Sequence, residues 1–154
     1  MIKELRPENV SMIIIHCSDS PPGRGDTART IHHWHLERGF DAIGYHRVIL
    51  ENGKIEHGRP DYAQGAHCRG YNWRSLSVCL IGRNKFSNPQ YFALAKVLRE
   101  WRKQFPDARI AGHYQIDPSK TCPGFDVPMW LMRNRFGYSA ALPVNNETFP
   151  HNWG

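Results

Sequence analysis

The stretch SMIIIHC, residues 11–17, contains the most hydrophobic run near the N-terminus of the chain. Its apolar, β-branched run is typical of a strand that is buried on both faces of a sheet. The run ends at the polar residue His16, and the turn-rich segment SDSPPGRGD follows it. His16 is therefore predicted at the end of a central strand, where functional side chains are often found.

Two more strands and a hairpin are predicted around this strand. SLSVCLIG (75–82) and ARIAGH (108–113) are short apolar segments of strand length. The hairpin covers residues 44–59 and turns at Asn52-Gly53, a dipeptide that favours a tight turn. The chain is therefore expected to contain a sheet with both sequential and crossover connections.

Three helices complete the predicted elements. The clearest is SNPQYFALAKVLREWRKQF (87–105), with Asn88 as its expected N-cap and an apolar stripe at helical spacing. ARTIHHWHLERG (28–39) is amphipathic, and VPMWLMRNRF (127–136) is a short final helix. The order of elements predicts an α/β protein, a single domain with a central mixed β-sheet flanked by helices.

The chain has 154 residues, which favours one domain. We expect the domain itself to cover residues 11–137, with an N-terminal segment at 1–10 and an aperiodic C-terminal tail at 138–154. Since no apolar run approaches the roughly 20 residues that span a bilayer, no transmembrane segment is expected.

The net charge indicates what kind of partner the protein binds, and the N-terminal sequence indicates where the protein is made. Twenty Lys and Arg against fourteen acids give a net charge of +6, which favours an anionic partner such as a cell-wall polymer or serves solubility alone. The basic residues form no run, so direct binding of nucleic acid is not expected. MIKELRPENV lacks the apolar core of a secretion signal, so synthesis in a cytoplasm without a signal peptide is expected.

The segment KTCPGFD (120–126) raises the question of what Cys122 does. It could be a buried thiol, half of a disulfide or a metal ligand. Zinc binds His nitrogen and Cys sulfur, and catalytic zinc sites use three protein ligands with the fourth position left for water. His16, His113 and Cys122 form such a set, since both histidines end predicted strands. With nine His and four Cys in the chain, spacing alone leaves the other roles open.

Four stretches, in order along the chain, resemble the zinc-dependent N-acetylmuramoyl-L-alanine amidases. They are IIIHCSDS (13–20), GYHRVILENGKIEHGRP (44–60), GAHCRGYNWRSLSVCLIG (65–82) and GHYQIDPSKTCPGFDV (112–127). The similarity is closest to the small phage lysozymes of that class, which share a fold with peptidoglycan recognition proteins. It extends from about residue 11 to about residue 136 and so covers most of the chain.

The resemblance implies that His16, His113 and Cys122 bind one zinc ion per chain and that Tyr45 and Lys120 assist catalysis. The implied reaction is hydrolysis of the amide between N-acetylmuramic acid and L-alanine in bacterial peptidoglycan. The implied biological role is that of a phage endolysin in host lysis. Such an enzyme would act on the cell wall, in the periplasm, after the inner membrane has been breached.

Other polar residues are candidates for substrate contact or for structural roles. His67 either lines a substrate groove near the metal or serves as a hydrogen-bond partner within its loop. Trp73 and Arg74 lie in a turn beside it and are candidates for contact with glycan. His46 is expected to alternate with Tyr45 on a strand and to point to the opposite face as a structural residue. The other thiols are Cys17 and Cys79, interpreted as buried, and Cys68, which has no assigned role.

Two alternative functions stay open at this point. The first is a non-catalytic muropeptide-binding module, a branch of the fold that lacks the Cys ligand, so the presence of Cys122 argues against it. The second is a dual-function lysozyme that also inhibits a phage RNA polymerase. The basic charge and the segment 1–10 permit the second function, although no residue demonstrates it.

Overall fold

The structure, a computed structural model, describes residues 1–137 and 139–142. A five-stranded sheet forms its centre, in the spatial order β3-β2-β4-β1-β5. The strands are β1 (Met12–Cys17), β2 (Arg47–Ile49), β3 (Ile55–His57), β4 (Ser75–Leu80) and β5 (Arg109–Gly112). All neighbouring pairs are parallel except the β2–β3 hairpin. The predicted mixed sheet is therefore confirmed, with SMIIIHC in a central strand.

Helices cover both faces of this sheet. They are α1 (Ala28–Glu37), α2 (Asn88–Gln104), α3 (His113–Ile116) and α4 (Val127–Arg133), with short 3-10 turns at Pro7–Asn9 and Asn72–Arg74. The N-cap of α2 is Ser87 and not Asn88 as predicted. The Ser87 hydroxyl accepts from the Gln90 N–H while the Gln90 side chain accepts from the Ser87 N–H. This reciprocal pair satisfies two N–H groups that would otherwise lack partners at the helix start.

Alternate residues of the strands build two different faces. The apolar face packs against α2 and α4 and holds the large core cluster, which includes Ile13, Ile15, Leu76, Val78 and Leu80. The opposite face, which we call the histidine face, packs against α1 and the loops. It carries His16 from β1 and Ser75, Ser77 and Cys79 from β4, all buried. Residues that are adjacent in a strand thus alternate between the hydrophobic core and the histidine face.

The strand β5 ends one residue earlier than its sequence predicts. Gly112 is its last residue, and His113 begins the single-turn helix α3. The Gly112 N–H donates to the Gln115 side chain at 2.8 Å, which caps this turn. Because β5 is parallel to β1, the start of α3 lies at the edge of the sheet where β1 also ends.

Residues on either side of the predicted domain also contact the core. Leu5 is buried in the core cluster, and the Ala140 carbonyl accepts from the Ile110 N–H of β5 at 2.7 Å. Residue 138 and residues 143–154, most of the expected tail, lie outside the described residues. Within the part that is described, no helix combines the length and the apolar character needed to cross a bilayer.

Candidate metal centre and its cleft

His16, His113 and Cys122 converge at the edge of the sheet where β1 and β5 end. One ring nitrogen from each histidine and the Cys122 sulfur all lie within 4.8 Å of one another. Tetrahedral zinc with bonds of about 2.0–2.3 Å places its N and S ligands roughly 3.4–3.8 Å apart. The group is therefore close to the size of a zinc site, and its donor types are those that zinc prefers.

The loop after α3 holds Cys122 in this position. The Cys122 sulfur accepts from the main-chain N–H of Cys17 at 3.0 Å, and the Cys122 carbonyl accepts from the Tyr114 N–H at 2.9 Å. Gly124 follows with φ of +89°, and a Cβ there would collide with the Arg83 carbonyl. Only glycine meets both the left-handed backbone and the close approach at this turn.

The surroundings favour the metal-binding protonation state of the two histidines but oppose that of Cys122. Burial, followed by the charges of His67 and His113, lowers the pKa of His16 well below its usual value. Burial also lowers the pKa of His113. Both rings are therefore neutral at pH 7. The hydrogen-bonded thiol of Cys17, together with burial, raises the pKa of Cys122, so the thiolate would need a bound cation.

The ligand group opens into a cleft of about 1320 Å³. The predicted site residues that line it are His16, Tyr45, His67, His113, Lys120 and Cys122. Tyr45 is partly buried, with its ring centroid 5.0 Å from that of His16. Burial, reinforced by Cys79, Cys122 and Cys17, raises its pKa well above 10, so the phenol keeps its proton. Lys120 is exposed, two residues before Cys122.

The structure does not bring Trp73 and Arg74 into this cleft. Among the described residues, neither belongs to its lining. Trp73 donates its indole N–H to the Gly70 carbonyl, and the Arg74 side chain donates to the Ser11 hydroxyl at 2.8 Å. The guanidinium of Arg74 also stacks over the Trp73 ring at 5.5 Å. Their role in glycan contact stays a prediction.

The two histidines next to the candidate ligands, His67 and His46, are hydrogen-bonded within the protein. Nδ1 of His67 lies 2.9 Å from Nε2 of His16, and Nε2 of His67 lies 3.2 Å from the Ser75 hydroxyl. His46 accepts from the Ser77 N–H at 3.1 Å and pairs with the Ala63 carbonyl at 2.7 Å. Both ring nitrogens of His46 are thus hydrogen-bonded, as expected of a structural residue.

The expectation that Tyr45 and His46 point to opposite faces is wrong. The strand β2 begins only at Arg47, so the alternation of strand side chains does not extend to these two residues. The Tyr45 ring lies 5.0 Å from that of His16, and the His46 ring lies 6.1 Å from that of His67. Both residues therefore face the same group of histidines.

The other cysteines are all free thiols. Cys79 is fully buried on the histidine face, as the sequence predicts. Cys68, to which the sequence assigns no role, packs with Met12, Ile14 and Ala111, and burial raises its pKa to about 11. Cys17 is buried, and its thiol also interacts with that of Cys122. Cys68 and Cys79 are therefore core residues.

Charged residues that sequence reasoning did not select also line the cleft. Arg38, Arg69 and Arg83 join Lys120, against the two acids Asp19 and Asp117. Asp19 pairs with Arg83 at 2.7 Å, and hydrogen bonds from Ser119 lower the pKa of Asp117. The excess of cations favours an anionic ligand. Asp117 had a sequence signal, because it opens the D-P-S-K turn that leads to Lys120.

Comparisons with known proteins agree with this architecture. The family model described as N-acetylmuramoyl-L-alanine amidase matches residues 6–125. The endolysin of Enterobacteria phage K11 is 36% identical over 132 residues, which cover 80% of this chain and 87% of that protein. The matched range contains all eight residues to which the sequence assigned site roles.

Solved structures show the same fold. The N-acetylmuramoyl-L-alanine amidase LysC from Clostridium intestinale URNW superposes with a TM-score of 0.74 at 26% identity, over 81% of this chain and 85% of that one. Bumblebee PGRP-SA superposes with a TM-score of 0.78 at 23% identity, over 94% of this chain and 90% of that one. The sequence matches and the fold both show that the chain belongs to the N-acetylmuramoyl-L-alanine amidase family.

Proposed function

We propose that this chain is a phage endolysin whose N-acetylmuramoyl-L-alanine amidase activity depends on one zinc ion held by His16, His113 and Cys122. The observation that carries the proposal is the convergence of two neutral imidazoles and a thiol within 4.8 Å inside a cleft. When bound, zinc would lower the pKa of a water molecule and polarise the scissile carbonyl.

The protein's own residues would supply binding and charge stabilisation. Lys120 stands at the cleft with a cationic side chain, which would stabilise the oxyanion that forms as water attacks the amide. Tyr45 remains protonated, so it would act as a hydrogen-bond donor that orients the carbonyl or the attacking water. The two roles are complementary, because a cation and a neutral donor both favour developing negative charge.

The cleft also fits the proposed substrate. Peptidoglycan stem peptides carry carboxylates, and the lining of the cleft contains four cationic side chains and only two acids. Its volume of about 1320 Å³ is large enough for a sugar with part of its peptide. The presence of the Cys ligand supports hydrolysis over the alternative of muropeptide binding without cleavage.

The test measures zinc and bond cleavage on one preparation. Zinc content is determined before and after chelation and after zinc is restored, and turbidity loss of outer-membrane-permeabilised cells is followed in parallel. Newly exposed amino termini on L-alanine identify the bond. We expect one zinc per chain and a chelator-sensitive, zinc-restored release of these termini. Bound zinc without new termini would support a muropeptide binder, and a chain without zinc would overturn the metal mechanism.

Two further parts of the proposal concern place and partner. We propose that the chain acts on the host cell wall from the periplasmic side. A comparison of lysis in cells with an intact and with a permeabilised inner membrane would test this.

The proposal that the chain also inhibits a phage RNA polymerase is supported only by its resemblance to phage lysozymes. A pull-down with the polymerase of the same phage would recover it if that function is present, and recovery of nothing would end the idea.

A further inference from the structure

Four groups are connected by hydrogen bonds in what we call the histidine relay, namely the Tyr71 carbonyl, Ser75, His67 and His16. The Ser75 hydroxyl lies 2.7 Å from the Tyr71 carbonyl and 3.2 Å from Nε2 of His67. Nδ1 of His67 lies 2.9 Å from Nε2 of His16. The relay therefore runs without a gap from a main-chain carbonyl to a candidate metal ligand.

The positions of the protons in this relay follow from its fixed end. A carbonyl oxygen can only accept, so the 2.7 Å contact between two oxygens requires that the single Ser75 proton points at the Tyr71 carbonyl. The Ser75 oxygen must then accept from His67, which places a proton on Nε2 of that ring. In the neutral ring, Nδ1 of His67 carries a lone pair. Nε2 of His16 must donate to it.

We propose that His67 is a positioning residue that holds His16 in the tautomer with its proton on Nε2, so that Nδ1 of His16 is the atom that binds the metal. The inference rests on the zinc site proposed above and names the ligand atom and its support. Ligand histidines commonly donate their second ring nitrogen to a protein acceptor, which fixes the ring and its tautomer. Here the acceptor is a second histidine whose own tautomer is set by Ser75.

The surroundings of His67 fix the ring as well as its protons. The main-chain N–H groups of His67 and Cys68 both donate to the Asn72 side chain at 3.0 Å. A Cβ on Gly65 would lie 2.6 Å from the His67 ring and 2.7 Å from the Gly44 carbonyl, so only glycine allows this packing. His67 is thus held by backbone and by ring contacts, and its Nδ1 lone pair has a defined direction.

His46 offers a matched control for this role. It is a buried histidine whose ring lies 6.1 Å from that of His67, and its two nitrogens are hydrogen-bonded to Ser77 and Ala63. Within residues 1–137 and 139–142, it makes no hydrogen bond to His16. A variant at His46 therefore disturbs the packing around His67 without removing any hydrogen bond of the relay.

The first test reads the protons directly in the metal-free protein. Long-range proton–nitrogen correlation NMR distinguishes protonated from unprotonated ring nitrogens. We expect Nε2–H on both His16 and His67, and a mixture of tautomers at His16 in His67→Phe. A proton on Nδ1 of either ring in the unchanged protein would overturn the inference. This readout does not depend on zinc or on activity, so it stands even if the proposed zinc mechanism fails.

The second test measures zinc affinity by competition with a chelator, in variants shown to be folded by circular dichroism. His67→Phe removes the acceptor and keeps a ring, and loss of such a partner typically weakens metal binding about 10–100-fold. His67→Asn can place a carbonyl oxygen near the position of Nδ1, so it should recover much of the affinity. His46→Phe should change the affinity little. Equal losses in His67→Phe and His46→Phe, or no rescue by asparagine, would reduce His67 to a packing residue.

Discussion

The two faces of the sheet are built from alternate residues of the same strands, yet one face is apolar and the other carries buried polar side chains. In β4, Leu76, Val78 and Leu80 enter the large core cluster against α2, whereas Ser75 and Ser77 reach the histidines on the other side. The apolar face gains its stability from burial that needs little directional precision. The histidine face depends on hydrogen bonds between buried polar groups, each of which must find its partner.

Stability and chemistry are therefore separated onto opposite faces of the sheet. Burial of a Leu or Ile side chain contributes about 1.5–3 kcal/mol, so the apolar face can support a second face that contains costly buried imidazoles. Within the described part of the chain, the apolar clusters of the histidine face are small, one around Ile31 and one around Met12. Substitutions on the two faces should therefore have different consequences.

The largest effect is expected from Cys122→Ser, which removes a ligand and leaves the apolar face intact. Zinc affinity should fall more than about 100-fold, because loss of even an outer partner typically costs 10–100-fold. Amidase activity should fall to background, with the thermal unfolding of the metal-free protein unchanged. Zinc content of the purified variant measures the loss of the metal, and calorimetry measures the thermal unfolding of the metal-free protein. Cys68→Ala, at a core thiol, is the control that should keep its zinc, and unchanged zinc in Cys122→Ser would remove that residue from the site.

Leu98→Ala tests the opposite face. Leu98 is fully buried on α2, so truncation should lower the free energy of unfolding by about 2–5 kcal/mol through lost transfer energy and a cavity. Zinc bound per folded chain should not change. Urea unfolding measures the loss, with Leu36→Ala, at an exposed residue of α1, expected within about 0.5 kcal/mol of the parent. A loss of zinc binding in folded Leu98→Ala would show that the faces are coupled.

The pH dependence of stability is expected to come largely from the histidine face. Burial lowers the pKa of His46 to about 4, against about 6.5 in the unfolded chain. Between these values the unfolded state binds more protons, so stability should fall as pH falls from about 6.5 to about 4, by up to ~3 kcal/mol from this residue. In His46→Gln, urea unfolding from pH 7 to pH 4.5 should show a shallower loss. An unchanged slope would contradict the assignment.

The smallest effect is expected from Trp73→Ala. Its side chain is 48% exposed and lies outside the lining of the cleft, so the free energy of unfolding should change by no more than about 0.5 kcal/mol. If glycan contacts are confined to the cleft, the KM for peptidoglycan fragments should also stay unchanged. A several-fold rise in KM with unchanged stability would restore the predicted contact with glycan and extend the functional surface beyond the cleft.

Much of this architecture was accessible from the sequence because it depends on local spacing. Apolar runs of strand length predicted β1 and β4, and the apolar stripe predicted α2. The errors lie at element ends, where one residue changes the geometry. Asn88 was expected to cap α2, but Ser87 has the partner three residues on that completes a reciprocal cap. Tyr45 and His46 were placed on a strand that begins only after them.

Residue types and their local spacing were enough to predict the kinds of element and a single domain. Spacing alone did not select the ligands among nine His and four Cys, and the resemblance to a known family was needed to single out His16, His113 and Cys122. Three features required the folded chain: the convergence of His16, His113 and Cys122, the packing of Cys68 in the core, and the hydrogen bonds by which His67 connects Ser75 to His16. Contacts of this kind join residues far apart in the chain. They exist because parallel pairing brings the ends of β1 and β5 to one edge, which is set by the packing of the whole sheet.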